Sequence, residues 1–377
     1  MRIPIVPLLA TSLGANTVQV GMINGGFMLM AGALSIPSGI ISDRVGRRLP
    51  LLGGLVLLAG SSFLLYWSSS PLQMAVIYLF FGVGLSAFSP TLMSYVADVT
   101  PPEVLGQAYG WYTMALYGGM TLGPAVGGFL ATALGLRLVF LVSGGLIFTM
   151  FLVALIFIPT HSGHNRPRGT FPAIMPDLYR LMHNRPLIAC LVATLGSCVG
   201  FGMFVTFMPL YIQSQGMHTG QVGLVFATQA LSNALSRLPS GRLSDRVADR
   251  SILVAVGLAF FAVALAAFGL CHTVVALMAT AAAMGMSMGV AFTVISALIA
   301  DAVPREMRGL AMGCYNTCVY AGMMLSSFCM GTVIKGEGFS AAFFLIGVVG
   351  VIVLFLFRFL YRRPNGAENE EARMNSS

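Results

Sequence analysis

Gly39-Ile-Ile-Ser-Asp43-Arg44-Val-Gly46-Arg47-Arg48 sets glycines, an acid and three arginines between two long apolar runs. Only 8% of the chain is charged, so a cluster this dense marks a point where the polypeptide briefly leaves an apolar environment. The stretch has an echo in Gly241-Arg-Leu-Ser-Asp245-Arg246-Val-Ala-Asp249-Arg250. Asp43 and Asp245, Pro37 and Pro239, and Gly21 and Gly223 are each 202 positions apart, so one duplicated unit makes up nearly the whole chain.

The 377 residues are 57% hydrophobic with a mean hydropathy of +0.87. A soluble domain is about 45–50% apolar even with glycine counted, so this is a polytopic membrane protein. Polar–apolar alternation is absent, which excludes a β-barrel and predicts an all-α fold. The net charge of +8 does not point to nucleic acid, because the basic residues lie in short connections between apolar runs. The six cysteines lie in or beside apolar segments with no CxxC pair, and His161 and His164 have no thiolate or carboxylate nearby. No metal site, cofactor or disulfide framework is expected. Lys335, the single lysine, follows Ile334, so the phosphate-binding loop of an ATP-driven pump is excluded. No nucleophile or metal constellation suggests an enzyme.

A membrane helix needs about 20 apolar residues. That criterion predicts helices near 18–41, 50–68, 72–97, 104–133, 137–158, 187–213, 219–243, 251–270, 273–300, 307–334 and 339–360. Met1 to Leu13 aligns, at the same 202 offset, with Met203 to Gln215, the last half of a helix. Most of the first membrane helix is therefore expected to be missing ahead of Met1, through truncation or a misplaced start codon. The expected organisation is a helix bundle over 1–158, a cytoplasmic linker over 159–186 with a short amphipathic helix after Pro176, a second bundle over 187–361 and a disordered tail over 362–377.

Alternate connections differ in charge. Sixteen arginines fall on one side, in the Arg44 cluster, the 159–186 linker, the Arg242–Arg250 cluster, Arg305, Arg308 and the tail, against Arg137 and Lys335 on the other. The positive-inside rule puts the arginine side and the C-terminus in the cytoplasm, in a plasma (inner) membrane. Arg2 and Arg237 fall inside helices.

A glycine near a helix end admits a close neighbour, an acid there can face another helix N-terminus, and arginines can pair with acids on adjacent segments. Such contacts hold one conformation of a moving protein, or merely orient a hairpin; their repetition favours the mechanical role. The pattern Gly39-x-x-x-Asp43-Arg44-x-Gly46-Arg47-Arg48 closely resembles the signature between the second and third helices of the major facilitator superfamily, and two six-helix halves resemble its fold. By that resemblance Asp43 would lock against the start of the eleventh helix near Glu306, and Arg47 would pair with Asp98. The second copy keeps Asp245 and Arg246 but has Ala248 for the second glycine and Asp249 for an arginine.

Ala97-Asp98-Val-Thr-Pro101-Pro-Glu103-Val-Leu-Gly106 matches Ala300-Asp301-Ala-Val-Pro304-Arg-Glu306-Met-Arg-Gly309 at an offset of 203. Each is a helix ending at an acid, a proline turn, and a helix opening on a glutamate. In the fifth helix stands Gly110-x8-Gly119-Met-Thr-Leu-Gly123-Pro124-Ala-Val-Gly127-Gly128. Its proline bends the helix and its glycines clear a packing groove. The full pattern resembles the fifth-helix signature of the superfamily's drug:proton antiporters, at every glycine and the proline.

In such folds the substrate site lies near the bilayer midplane between the halves. The mid-helix polar and aromatic candidates are Asn24, Met28, Tyr112, Tyr117, Phe204, Phe207, Gln229, Asn233, Asn316 and Tyr320. With 24 methionines, they suit bulky apolar or cationic compounds. No acid lies mid-helix to carry a coupling proton, which leaves Asp43, Asp98 or a residue of the missing helix. The expected function is proton-coupled export of small amphipathic or cationic compounds by a monomer, with uptake or metabolite transport as the alternative.

Overall fold

The computed structural model describes residues 1–101, 104–159, 179–247, 249–304 and 307–361. Within these, all regular structure is helical. The helices are α1 (Arg2–Ser12), α2 (Thr17–Ala33), α3 (Ser35–Val45), α4 (Arg48–Tyr66), α5 (Pro71–Val99), α6 (Leu105–Leu134), α7 (Leu136–Phe157), α8 (Arg185–Ser214), α9 (Thr219–Arg246), α10 (Arg250–Phe268), α11 (Val274–Ala302) and α12 (Arg308–Tyr361). The described end of the linker, residues 179–182, is helical and buries Leu181.

Local chemistry repeats with the duplication. Asn16 and Gln19 cap α2 reciprocally, each side chain accepting from the other's backbone N–H at 2.9 Å. At α9, 202 positions on, the Gln221 side chain likewise accepts from the His218 N–H, at 2.8 Å. Gly135, at φ +90°, turns α6 into α7, and Gly338, at φ +83°, interrupts α12. An unbroken helix of 54 residues would run about 80 Å, more than twice a bilayer, so α12 is two spans that turn at Gly338. One predicted helix divides instead: the span expected over 18–41 is α2 and α3, parted at Leu34. Pro37, in the first turn of α3, has no N–H to continue the ladder from α2.

Among the described residues seven helices are long and apolar enough to cross a membrane. The 28-residue α9 is long enough but is not one of them, because Thr228, Gln229, Ser232, Asn233, Ser236, Arg237 and Ser240 run along it. A polar helix at membrane depth is stable where it lines protein or a wet cavity rather than lipid. Consistent with that, α9 packs along α6 of the first half and α11 of the second.

The protein is an all-α polytopic membrane protein of two six-helix repeats. In the first, α2 packs on α5, and α4 lies between α5 and α7; in the second, α12 lies along α8 and α10 packs on α11. Two seams cross between the repeats, α2 on α12 and α6 on α9.

Candidate functional site

At the end of the molecule that carries the arginine clusters, Arg47 immediately precedes α4 and reaches the last turn of α5. Its Nε donates to Asp98 Oδ2 at 2.8 Å and its Nη1 to Ser42 Oγ at 3.0 Å. The Arg47 side chain is only 9% exposed and that of Asp98 33%. Arg48 turns away, donating from Nη2 to the Leu155 carbonyl at 3.1 Å.

The second repeat builds the same pair one residue later than the 202 offset foretells. Arg250 Nη1 donates to Asp301 Oδ2 at 2.7 Å, and its Nε donates to the Ser244 carbonyl at 3.0 Å. Asp249, which stands where the first copy has an arginine, caps α10 by accepting from the Ser251 N–H at 2.9 Å. The signal was present in the sequence: Asp98 and Asp301 are 203 apart, and so are Arg47 and Arg250. The side chains of Asp43, Arg44 and Asp245, with Gly110, Tyr117 and Glu306, lie outside the described residues. Arg246 lines an open groove of about 640 Å³ beside Leu235, Leu238, Pro239, Arg242 and Leu243, all on α9.

Glycines set the two seams at the opposite end. A Cβ at Gly21 would strike the Ser327 carbonyl and one at Gly331 would come within 2.6 Å of the Thr17 carbonyl; the close contact continues past the middle of the span to Gly32, where a Cβ would come within 3.0 Å of Tyr320 Cβ. Across the other seam Gly128 and Gly223 face each other, a Cβ on either meeting backbone at 2.9 Å, the Pro124 carbonyl among it. Gly123 and Gly127 lie as tightly against Met1. Toward the arginine end the seams part. Gly39 and Gly313 lie seven residues beyond Gly32 and Tyr320 on the same faces, yet a Cβ at either would meet nothing within 4 Å. The same holds at Gly241, which at 3.6 residues per turn lies under Gly223 on one face of α9.

The lining candidates separate by burial. Asn24 and Met28 are buried on α2, with the Met28 sulfur 3.9 Å from Ser327 Oγ, and the Phe207 ring lies against Gly21 at the α2 seam. Phe204 is fully buried against Phe226 and Phe268, a packing position inside the second repeat. Tyr112 and Tyr320 are half-buried and Asn316 is exposed. Gln229 and Asn233, each 6% exposed, line a second cavity of about 60 Å³ with Arg237, Ala230, Met120, Thr121, Phe201 and Met288. Arg2 lies in the first repeat, its Nη1 donating to Ser62 Oγ at 2.7 Å and its Cζ stacked 3.7 Å over the Phe81 ring.

The family model of the Major Facilitator Superfamily matches residues 1–220 and 214–376. An uncharacterized MFS-type transporter of Methanocaldococcus jannaschii is 24% identical over 362 residues, covering 93% of this chain and 92% of the relative. The multidrug resistance protein MdtG of Proteus mirabilis is 27% identical over 230 residues, 59% of this chain and 56% of the relative, so that match spans about half its length. Among solved structures, a bacterial homolog of the human lysosomal transporter Spinster, in an inward-facing and unoccupied conformation, superposes with a TM-score of 0.79 at 16% identity. That likeness covers 96% of this chain and 92% of the other.

Proposed function

The chain belongs to the Major Facilitator Superfamily, a family of transporters, and from that premise we propose that it exports small amphipathic or cationic compounds by alternating access, in exchange for protons. The observation that carries this reading is the pair of glycine seams, tight at one end and parted at the other. Two rigid repeats joined in that way expose a pathway to one side at a time, and rocking about the seams transfers the opening. The Arg47–Asp98 pair stands at the parted end within the first repeat, where it ties the start of α4 to the end of α5 so that the repeat moves as one body.

Export is favoured over uptake by the complete glycine and proline pattern of α6, whose Pro124 and Gly128 form the seam with α9. The drug-resistance name of the Proteus relative agrees with that direction. We assign the arginine end to the cytoplasm of a plasma (inner) membrane by the positive-inside rule, and take the working unit to be a monomer. Asp43, four residues from Gly39, and Asp98, the partner of Arg47, are the acids we expect to carry the proton.

The test is efflux of a fluorescent lipophilic dye from cells stripped of their own pumps, with and without a protonophore. The proposal predicts efflux above the vector control that collapses when the protonophore is added. Dye accumulation driven by the protein would reverse the direction to uptake, and protonophore-resistant efflux would remove the proton.

A further inference from the structure

A polar stripe runs along α9. Gln229, Asn233 and Arg237 are spaced by four, so they share one face, and that face lines the 60 Å³ cavity at the seam with α6. Arg237 Nε donates to Asn233 Oδ1 at 3.0 Å, which uses the acceptor of that amide and turns its Nδ2 away. Asn233 is 6% exposed, and its Nδ2 has no hydrogen-bond partner. The Gln229 Nε2 meets only the soft sulfur of Met288, at 3.8 Å. The stripe therefore holds an amide N–H buried without an acceptor beside a guanidinium, a condition that costs free energy until an acceptor arrives.

All 12 acids fall at helix ends, in connections or in the tail, whereas Arg237 sits one turn from the centre of its helix. A cavity of this size holds more than a single water, enough for a carboxylate. Thr121 from the first repeat and Phe201 from the second flank it, with the methionine sulfur behind.

We infer that this cavity binds the carboxylate of the transported compound, held by the guanidinium of Arg237 and the amide Nδ2 of Asn233. The apolar remainder lies on the Phe201 and Met288 surface. The inference rests on the transport reading and sharpens it: aromatic and methionine content alone suggests cationic cargo, but the fixed charge beside this cavity is positive. A carboxylate fits the planar fork of arginine, so among amphipathic compounds the site selects acids and zwitterions.

The test is binding to the purified protein in detergent, read by fluorescence anisotropy, of tetramethylrhodamine and of its methyl ester. The two dyes differ only in the free carboxylate. Wild type should bind the acid about tenfold more tightly than the ester, the range of one charge-assisted bidentate contact. Arg237→Gln should remove that preference by weakening the acid alone, and Arg237→Lys should restore part of it. Asn233→Leu keeps the charge and deletes the amide, so it should weaken the acid severalfold whether or not Arg237→Gln folds. Equal binding of the two dyes, no binding of either, or an acid preference that survives both Arg237→Gln and Asn233→Leu overturns the assignment. A protein that keeps the preference in detergent yet exports neither dye from cells would sink the export reading and leave the carboxylate site standing.

Discussion

Two ion pairs, Arg47–Asp98 in the first repeat and Arg250–Asp301 in the second, have the same chemistry and the same sequence separation but different surroundings. The first is largely buried, at 9% and 33% exposure of its side chains. The second stands in the open, at 30% and 60%. Arg47 draws Ser42 Oγ into its network, whereas Arg250 takes a main-chain carbonyl, and Asp249 has become a helix cap. Duplication has thus kept the geometry in both halves and the burial in one. Because a partly desolvated pair is costly to break and an exposed one is nearly free, the first repeat is where the arginine end is held.

The largest contrast is expected in transport. Asp43→Asn should abolish efflux at normal membrane expression, whereas Asp245→Asn should keep most of it; equal losses in the two would erase the asymmetry. Stability comes next. Asp98→Ala leaves a buried guanidinium without its carboxylate and should lower the unfolding free energy by about 2–3 kcal/mol, while Asp301→Ala should stay within about 1 kcal/mol. Thermal unfolding of the purified protein in detergent reads both, and a reversed order would contradict the burial argument. Gly46, at φ +93°, has Ala248 as its counterpart in the second copy. Gly46→Ala should cost about 1–3 kcal/mol in the same measurement, since φ +93° with ψ 160° is a conformation essentially confined to glycine. The smallest effect belongs to Asp249→Ala, which removes the α10 cap and should cost about 1 kcal/mol.

Much of this was legible in the sequence, because duplication and apolar length fix the number and order of helices before any packing is known. The break at Gly338 falls between the spans expected over 307–334 and 339–360, and the Arg47–Asp98 contact is the partnership that the family resemblance implies. Two things were hidden. The offset changes from 202 to 203 within the second cluster, at the cap residue Asp249, so an alignment anchored on Asp245 pairs Arg47 with the wrong position. Nor does an all-apolar helix reveal its faces: Phe204 and Phe207 look alike in sequence, yet one packs among aromatics of its own repeat and the other reaches the α2 seam. The stripe on α9 was half visible, since Gln229 and Asn233 are polar at mid-helix. The link from Asn233 to Arg237 follows only from the helix geometry.

The central claim is that the two ends of the seams open in alternation, and distances between paired spin labels in lipid test it most directly. One pair, Gly39→Cys with Gly313→Cys, reports the parted end; the other, Ser12→Cys with Lys335→Cys, reports the tight end. Imposing a proton gradient in the presence of exported dye should shorten the first distance and lengthen the second. Distances that stay fixed, or that lengthen together, would contradict the account.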